Sequence, residues 1–213
     1  PAAAAGIPTA YLATANFETA ARYVVELTGS GTSTFNTSGW AGNTSTTATG
    51  GAHIEWVLAG GSGNLRVNSP TMTSRVSMVT LGTDFDFVIK SGLDTAGTGG
   101  AITFTDDHYG FKITRRTSGT INLYATQADG TTETASASLA VPANNNEFEL
   151  ITEVNGTTSI DYYWQRNAVA LSAATNLTTN MPTGDHVRIT ASMSNVAVAD
   201  STQITIRTIS FQR

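Results

Sequence analysis

The stretch between residues 146 and 164 constrains the fold more than any other part of the chain. In its first half, apolar and acidic side chains alternate with the period of a strand that has one buried face, and only Ile151 breaks the pattern. An Asn155-Gly156 pair follows, and both residues tolerate the positive φ of a tight turn. The alternating apolar positions are Phe148, Leu150 and Val154 before the turn, and Ile160, Tyr162 and Trp164 after it. The stretch therefore predicts a β-hairpin whose apolar side needs a second layer to cover it.

The rest of the chain repeats this alternation at a spacing of roughly eight to twelve residues, with almost no helix signal. Glycine-rich and threonine-rich segments separate the alternating runs, and residues 28–51 read as a long surface loop broken by one or two short strands. The strands predicted outside the hairpin lie at residues 22–27, around Phe35 and Trp40, and at 52–59, 75–81, 84–90, 102–105, 108–116, 121–127, 131–141, 168–171, 187–193 and 204–211.

This pattern predicts an all-β fold. Hydrophobic residues make up 40% of the 213 residues, which allows a substantial core, and no internal repeat or shift of composition marks a second domain. We expect a two-sheet antiparallel β-sandwich of jelly-roll type over residues 21–213. Residues 1–20 form a predicted N-terminal arm that becomes ordered by lying on its own sandwich or on a neighbouring subunit.

The charge balance and the cysteine count exclude several classes of protein. The formal net charge is -5, and the only basic pair, Arg115-Arg116, falls at the end of a predicted strand, so we expect no nucleic-acid partner. The sequence shows neither a membrane-spanning stretch nor a signal-peptide pattern, so we expect no membrane partner. Without cysteine, neither disulfides nor a thiolate metal site can form.

Three pairs of acidic residues are candidates for glycoside hydrolysis, which uses two facing carboxyl groups: Asp84 with Asp86, Glu147 with Glu149, and Asp106 with Asp107. Asp84 with Asp86, and Glu147 with Glu149, each share a strand face because they are two residues apart. Their apolar neighbours claim the core, so we expect both pairs on solvated sheet faces. We therefore predict no catalytic residues and a protein that is not an enzyme, with a glycanase or lyase as the weaker alternative.

Metal and cofactor sites are not predicted either. The histidines at 53, 108 and 186 lack the spacing of metal ligands. The Asp106-Asp107 pair beside His108 leaves two interpretations open, a calcium site with oxygen ligands or a plain loop between strands.

Aromatic side chains suggest a carbohydrate-binding surface instead. Trp40 lies in a polar, glycine-rich segment and is the best candidate for an exposed ring that stacks on a sugar. Tyr163 has the outward parity of its strand, which it shares with Asp161. We take these two residues as candidate carbohydrate-binding residues.

The C-terminal third also carries a resemblance to a known group of proteins. Its order of strand, short turn, strand, Thr-Asn-x-Pro segment and two final strands falls at residues 148–154, 160–164, 179–182, 187–193 and 204–211. This order, with the preceding residues 109–130, resembles the concanavalin A-like jelly-roll domains of tailed-bacteriophage virion proteins. The chain departs from that pattern at residues 165–168, where Gln-Arg-Asn-Ala replaces the usual Asn-Gly turn, so we expect a different turn there.

The resemblance implies a non-enzymatic virion structural protein on the outer surface of a particle, such as a capsid decoration protein or a head fibre. It also implies self-association, with a trimer as the leading case, and contact with the major capsid protein or another virion protein. The alternative is a lectin-like module that attaches to a surface glycan.

Overall fold

The computed structural model describes residues 13–15, 23–36, 39–44, 50–57, 69–92, 102–117, 119–183 and 188–212. These residues form fifteen strands in two antiparallel sheets. The strands are β1 (Ala13–Ala15), β2 (Tyr23–Thr28), β3 (Thr32–Asn36), β4 (Gly39–Asn43), β5 (Gly51–Val57), β6 (Thr71–Thr80), β7 (Phe85–Gly92), β8 (His108–Arg115), β9 (Asn122–Ala128), β10 (Glu133–Ala135), β11 (Glu147–Asn155), β12 (Ser159–Arg166), β13 (Thr175–Leu177), β14 (Arg188–Asn195) and β15 (Gln203–Gln212).

The two sheets face each other as a sandwich, which confirms the predicted fold class. The seven-stranded sheet has the order β10-β9-β8-β7-β14-β5-β2. The eight-stranded sheet has the order β13-β12-β11-β6-β15-β4-β3, and β1 pairs with the end of β15 that β4 leaves open. Within the described ranges, no helix is long and apolar enough to cross a membrane.

The core lies between the sheets and takes every second side chain of the central strands. Its largest members are Trp40, Met72, Met78, Phe148 and Tyr162 from the eight-stranded sheet, and Phe85, Phe87, Tyr109 and Phe111 from the seven-stranded sheet. Tyr162 also joins the sheets directly, because its ring packs edge-on against Phe111 and its hydroxyl donates to Gln127 Oε1 at 3.1 Å.

The predicted hairpin is present as β11 and β12. Asn155 pairs with Ser159 across the turn, and Gly156 has a φ of 59°. Phe148, Leu150 and Val154 are buried, whereas Ile151 is half-exposed on the opposite face. The break in alternation at Ile151 thus reflects an apolar residue on the outer face.

Several predicted boundaries differ from the structure. The short strands predicted around Phe35 and Trp40 are confirmed as β3 and β4, but they are paired into the eight-stranded sheet and do not lie in a surface loop. Residues 102–105 and 168–171 are not strands, and β12 pairs instead with β13, at Thr175–Leu177. Short runs of this kind carry too few alternating positions for the period to identify a strand.

The turn after β12 also differs from expectation. Asn167 and Ala168 both have positive φ, 51° and 56°, and the amide of Val169 donates to the carbonyl of Arg166 at 3.0 Å. These are the features of a type I′ turn, the type that Asn-Gly pairs adopt. The turn has the type expected of an Asn-Gly pair, although alanine occupies the position usually taken by glycine. The prediction of a different turn is therefore wrong.

The described part of the N-terminal arm lies on the chain's own sandwich. Ala13, Thr14 and Ala15 pair with Phe211, Ser210 and Ile209 of β15, respectively. The other residues of the predicted arm lie outside the described ranges, and its boundary with the domain stays a prediction.

Candidate functional site

The outer face of the seven-stranded sheet is polar, and we call it the polar face. Because one parity of each central strand carries the apolar core, the other parity points away from it. The side chains that define the polar face are Glu26 of β2, His53 and Glu55 of β5, Thr190 and Ser192 of β14, Lys90 of β7, Lys112 of β8, and Tyr124 and Thr126 of β9. These strands are neighbours, and five spacings of about 4.8 Å make the face roughly 24 Å wide.

Much of the polar face is withdrawn from water. Lys90 and Thr190 are fully buried, and His53 and Ser192 are 2% and 5% exposed. Removing an ammonium or imidazole group from water is unfavourable unless the group is paired, and apolar residues would stabilise such a layer more simply. Buried ionisable groups on a sheet face are therefore more typical of a binding or catalytic site than of a structural surface.

One half of the polar face is centred on His53. Its Nδ1 atom lies 2.6 Å from Ser192 Oγ, and Glu26 stands opposite it on β2. Among the described residues, the buried Glu26 Oε2 and Thr190 Oγ1 have no hydrogen-bond partner. Buried polar atoms normally have hydrogen-bond partners, so these two oxygens are exceptions to that rule.

The other half is an ion-paired cluster on β8, β9 and β10. Lys112 Nζ forms an ion pair with Glu133, whose Oε1 also accepts from Thr126 Oγ1 at 2.6 Å. His108 Nε2 lies 3.3 Å from the same threonine hydroxyl. Tyr124 borders the cluster, with its ring centre 5.7 Å from Lys112 Nζ. The cluster presents a cation, hydroxyl groups and an aromatic ring side by side.

Residues 102–107 lie across this half of the polar face. Lys90 Nζ donates to the carbonyl of Thr103 at 3.4 Å, and Lys112 Nζ lies 4.6 Å from the ring centre of Phe104. The segment that the sequence predicted as a strand is therefore a cover over the two lysines. The polar side chains beneath it are held in fixed positions before any ligand arrives.

Asp84 and Asp86, predicted on a solvated face, are 2% and 6% exposed, so that prediction is wrong. Arg116 donates to both carboxylate oxygens of Asp86, at 2.7 and 3.0 Å, and Thr117 Oγ1 donates to Asp84. Burial raises the pKa of Asp86, and the bond from Arg116 partly offsets the rise. Strand parity does not show that other residues cover this face of the sheet. Arg116 serves as the ion-pair partner of Asp86.

The second acidic pair lines a separate cleft on the outer face of the eight-stranded sheet. This glutamate cleft has a volume of about 360 Å³, and its walls are Arg75, Asn145, Glu147, Glu149, Gln165, Asn167 and Ala168. Arg75 lies 3.8 Å from Glu149, and Arg207 lies 3.6 Å from Glu147. Both glutamates are partly exposed, as the sequence predicted.

The two predicted carbohydrate-binding residues lie in different environments. Trp40 is fully buried in the core, so the prediction that its ring is exposed is wrong. Its strand, β4, is inside the sheet between β15 and β3, and the ring packs beside Gly42 and Met193. Tyr163 is half-exposed on the face of the glutamate cleft, where it pairs with Ile151. Burial, reinforced by Glu153 and Asp161, raises the pKa of its phenol.

Asp107 holds a loop in place. Its two carboxylate oxygens accept from the amide of Thr183, at 3.0 and 3.1 Å, and Oδ2 also accepts from the Thr183 hydroxyl. No three ligand side chains gather into a possible metal site in the described ranges, and His186 lies outside them. Of the two interpretations left open for Asp106-Asp107, the geometry favours the loop.

The polar face was missed at the sequence level, although a signal was present. In the run from Ala52 to Val57, Ile54 takes the core parity, which assigns His53 and Glu55 to the other face. The same parity argument assigns Lys90 and Thr190. Only the strand order shows that these residues are neighbours.

Neither the family models nor the curated proteins contain a match to this chain. Solved structures do match its fold. A protein of unknown function from Shewanella oneidensis MR-1 is similar with a TM-score of 0.65 and 14% identity, over 94% of this chain and 85% of that one. A glycosyl hydrolase family protein from Mycobacterium fortuitum has a TM-score of 0.63 and 8% identity, over 94% and 99%.

The exoplasmic/lumenal domain of VIP36, in its Ca²⁺/Man2-bound form, has a TM-score of 0.57 and 11% identity, over 90% of this chain and 80% of that one. At these identities the likeness concerns the fold alone. The fold is the jelly roll of concanavalin A-like lectins and glycosyl hydrolases.

Proposed function

We propose that this protein binds a carbohydrate on the polar face of its seven-stranded sheet. The observation that carries the proposal is the row of hydrogen-bonding side chains across adjacent strands, of which Glu26, Glu55, Lys112 and Tyr124 are partly exposed. An oligosaccharide supplies many hydroxyl groups, each able to donate and accept, and such a ligand matches a row of this kind.

The two halves of the polar face would contribute differently. Glu26 and Glu55 are partly exposed and offer oxygen acceptors, whereas Lys112 is a donor beside the ring of Tyr124. An aromatic ring next to polar groups can pack against the C–H face of a sugar while its neighbours bond the hydroxyls. The width of roughly 24 Å favours an oligosaccharide over a single sugar unit.

The solved structures support carbohydrate binding only as a general class of function. VIP36 was solved with Man2 bound, and the protein from Mycobacterium fortuitum is described as a glycosyl hydrolase. A shared fold does not transfer either activity to this chain, so the proposal depends on the polar face itself. We propose binding without turnover, and the assay includes hydrolysis as a separate readout.

The test is calorimetric titration with neutral gluco-, manno- and galacto-oligosaccharides. Replacing Glu55 by Gln preserves its shape and turns a charge-assisted hydrogen bond into a neutral one, a loss of about 1–1.5 kcal/mol, so we expect binding to weaken about five- to tenfold. Glu153→Gln is the matched control, because Glu153 is an exposed glutamate on the other sheet. Unchanged affinity in Glu55→Gln, with wild-type thermal stability, would reject the polar face as the site.

Release of reducing ends from the same oligosaccharides tests for an enzyme. We expect none. Turnover that disappears in Glu55→Gln or Glu26→Gln would replace the binding protein by a glycoside hydrolase that uses this face.

We also propose, as a second candidate, the virion structural role that the resemblance implies. The observation in its favour is the pairing of Ala13–Ala15 with β15, because a short arm that adds a strand to its own sheet can add the same strand to a neighbouring subunit. Sedimentation of the protein, alone and with purified capsid shells, tests it. A stable oligomer that saturates shells at fixed stoichiometry would support the role, and a monomer that ignores shells would exclude it.

A further inference from the structure

The glutamate cleft lies on the sheet opposite the polar face and shares no residue with it. It is formed where β6, β11 and β12 run side by side: Arg75 pairs with Glu149, and Glu149 pairs with Gln165. The turn at Asn145 and the turn at Asn167-Ala168 close one end. A ligand held here would be independent of the ligand proposed for the polar face.

Both turns at the closed end have left-handed backbone. The φ angles are 63° at Asn145, 51° at Asn167 and 56° at Ala168, so three of the five non-glycine residues with positive φ in the described ranges line this cleft. Asparagine tolerates this conformation, but alanine does not, because its Cβ crowds the carbonyl oxygen. Backbone strain of this kind concentrates at sites that bind ligands.

The turns also fix the backbone of Glu147. The amide of Asn167 donates to the carbonyl of Glu147 at 2.8 Å, and the amide of Glu147 donates to Asn167 Oδ1 at 2.8 Å. The segment just before Glu147 is tied to β6, because the amide of Asn145 donates to the carbonyl of Met78 at 2.6 Å. Glu147 is thus positioned by two sets of backbone bonds before any ligand binds.

The lining indicates what the cleft would take. Arg75 lies 3.8 Å from Glu149, and Arg207 lies 3.6 Å from Glu147. Both distances are longer than a hydrogen bond, so a ligand hydroxyl would fit each carboxylate more closely. Gln165 adds an amide that can donate and accept. Because the two glutamates of the cleft are balanced by Arg75 and Arg207, the lining has no net charge and suits a neutral ligand.

We propose that the glutamate cleft is a second site, for a neutral saccharide, and that the methyl group of Ala168 is one of its apolar contacts. Ile151 and Tyr163 form the next cross-strand pair along the same face and extend the contact surface. Glycine at position 168 would relieve the backbone but would remove the methyl group from the cleft wall. The second site does not depend on the polar face, although both would take the same class of ligand.

The Ala168→Gly variant separates the backbone strain at position 168 from the role of the methyl group in binding. We expect it to raise the melting temperature by about 2–4 °C, the shift typical of a relieved backbone in a chain of this length, and to weaken binding at the cleft by at least about threefold. Ser69→Gly is the matched control: Ser69 is exposed, has a φ of 48° and does not line the cleft, so its substitution can raise stability but leaves binding unchanged. A stabilised Ala168→Gly protein that binds as tightly as the wild type would overturn the role of the methyl group.

The cleft itself is tested by counting sites with neutral tetrasaccharides in equilibrium dialysis. We expect two sites in the wild type, weaker binding at one of them in Glu55→Gln, weaker binding at the other in Glu149→Gln, weaker binding at both in the double variant, and unchanged binding in Glu153→Gln. A single site that Glu55→Gln weakens would overturn the second site and leave the proposed function standing. A single site that only Glu149→Gln weakens would support the cleft and overturn the polar face, and no binding at all would overturn both.

Discussion

The adjacent tyrosines at 162 and 163 offer a sharp test of the fold, because they point to opposite faces of β12. Tyr162 is fully buried, and its hydroxyl lies 3.1 Å from both the carbonyl of Thr126 and Gln127 Oε1 on the other sheet. Tyr163 is half-exposed on the outer face. Substituting either by Phe removes one oxygen atom at neighbouring positions of one strand.

The expected costs differ. Tyr162→Phe loses one buried hydrogen bond and leaves an acceptor in the core without its donor, which together cost about 1–2 kcal/mol. For a chain of this length that corresponds to a fall in melting temperature of about 3–6 °C. A surface change such as Tyr163→Phe stays within about 0.5 kcal/mol.

Urea unfolding followed by far-UV circular dichroism measures both variants against the wild type. The reasoning predicts a lower midpoint for Tyr162→Phe at an unchanged denaturant slope, and no measurable shift for Tyr163→Phe. Equal effects in the two variants, or a larger effect at Tyr163, would refute the placement of β12 between core and solvent.

Three further substitutions test individual side chains. Arg116→Ala should destabilise the fold by about 1–2 kcal/mol at pH 7. This cost is smaller than that of breaking a fully buried ion pair, because Arg116 is half-exposed. Urea titrations should show a smaller loss of stability near pH 4. The sign follows from the raised pKa of Asp86: a carboxyl group that protonates more readily in the folded state stabilises it at low pH, and this contribution is lost as pH rises through the folded-state pKa. Hydrogen bonds from Thr83 lower the pKa of Asp200, so Asp200→Asn should reduce the urea midpoint near pH 6, and the difference should vanish as pH falls through the folded-state pKa. Trp40→Ala should cost about 3–5 kcal/mol in thermal melts, whereas an exposed ring would cost less than about 0.5.

Period-two alternation was enough to predict the fold class and the central hairpin. The β11–β12 hairpin has one buried face along β11 and the first half of β12, so the alternation is visible in the sequence. The same reasoning failed at Trp40, where a fully buried strand sits in a polar, glycine-rich segment. The polar sequence around Trp40 does not show where its ring lies, because burial of the ring depends on which strands flank β4.

The candidate site was less accessible to sequence reasoning. Parity places His53 and Lys90 on outer faces, but β5 and β7 are joined only through β14, which follows about a hundred residues later in the chain. The sequence also cannot show that residues 102–107 cover Lys90 and Lys112. Sheet order and loop placement are long-range properties, and no local pattern encodes them.

The central claim is that the polar face binds a carbohydrate, and amide chemical shifts during a titration with neutral oligosaccharides test it most directly. The account predicts that saturable shift changes concentrate in β5, β7, β8 and β14, with a second group at the turn around Asn167 if the glutamate cleft is also occupied. Saturable changes confined to other parts of the chain, or no saturable change with any oligosaccharide, would contradict it.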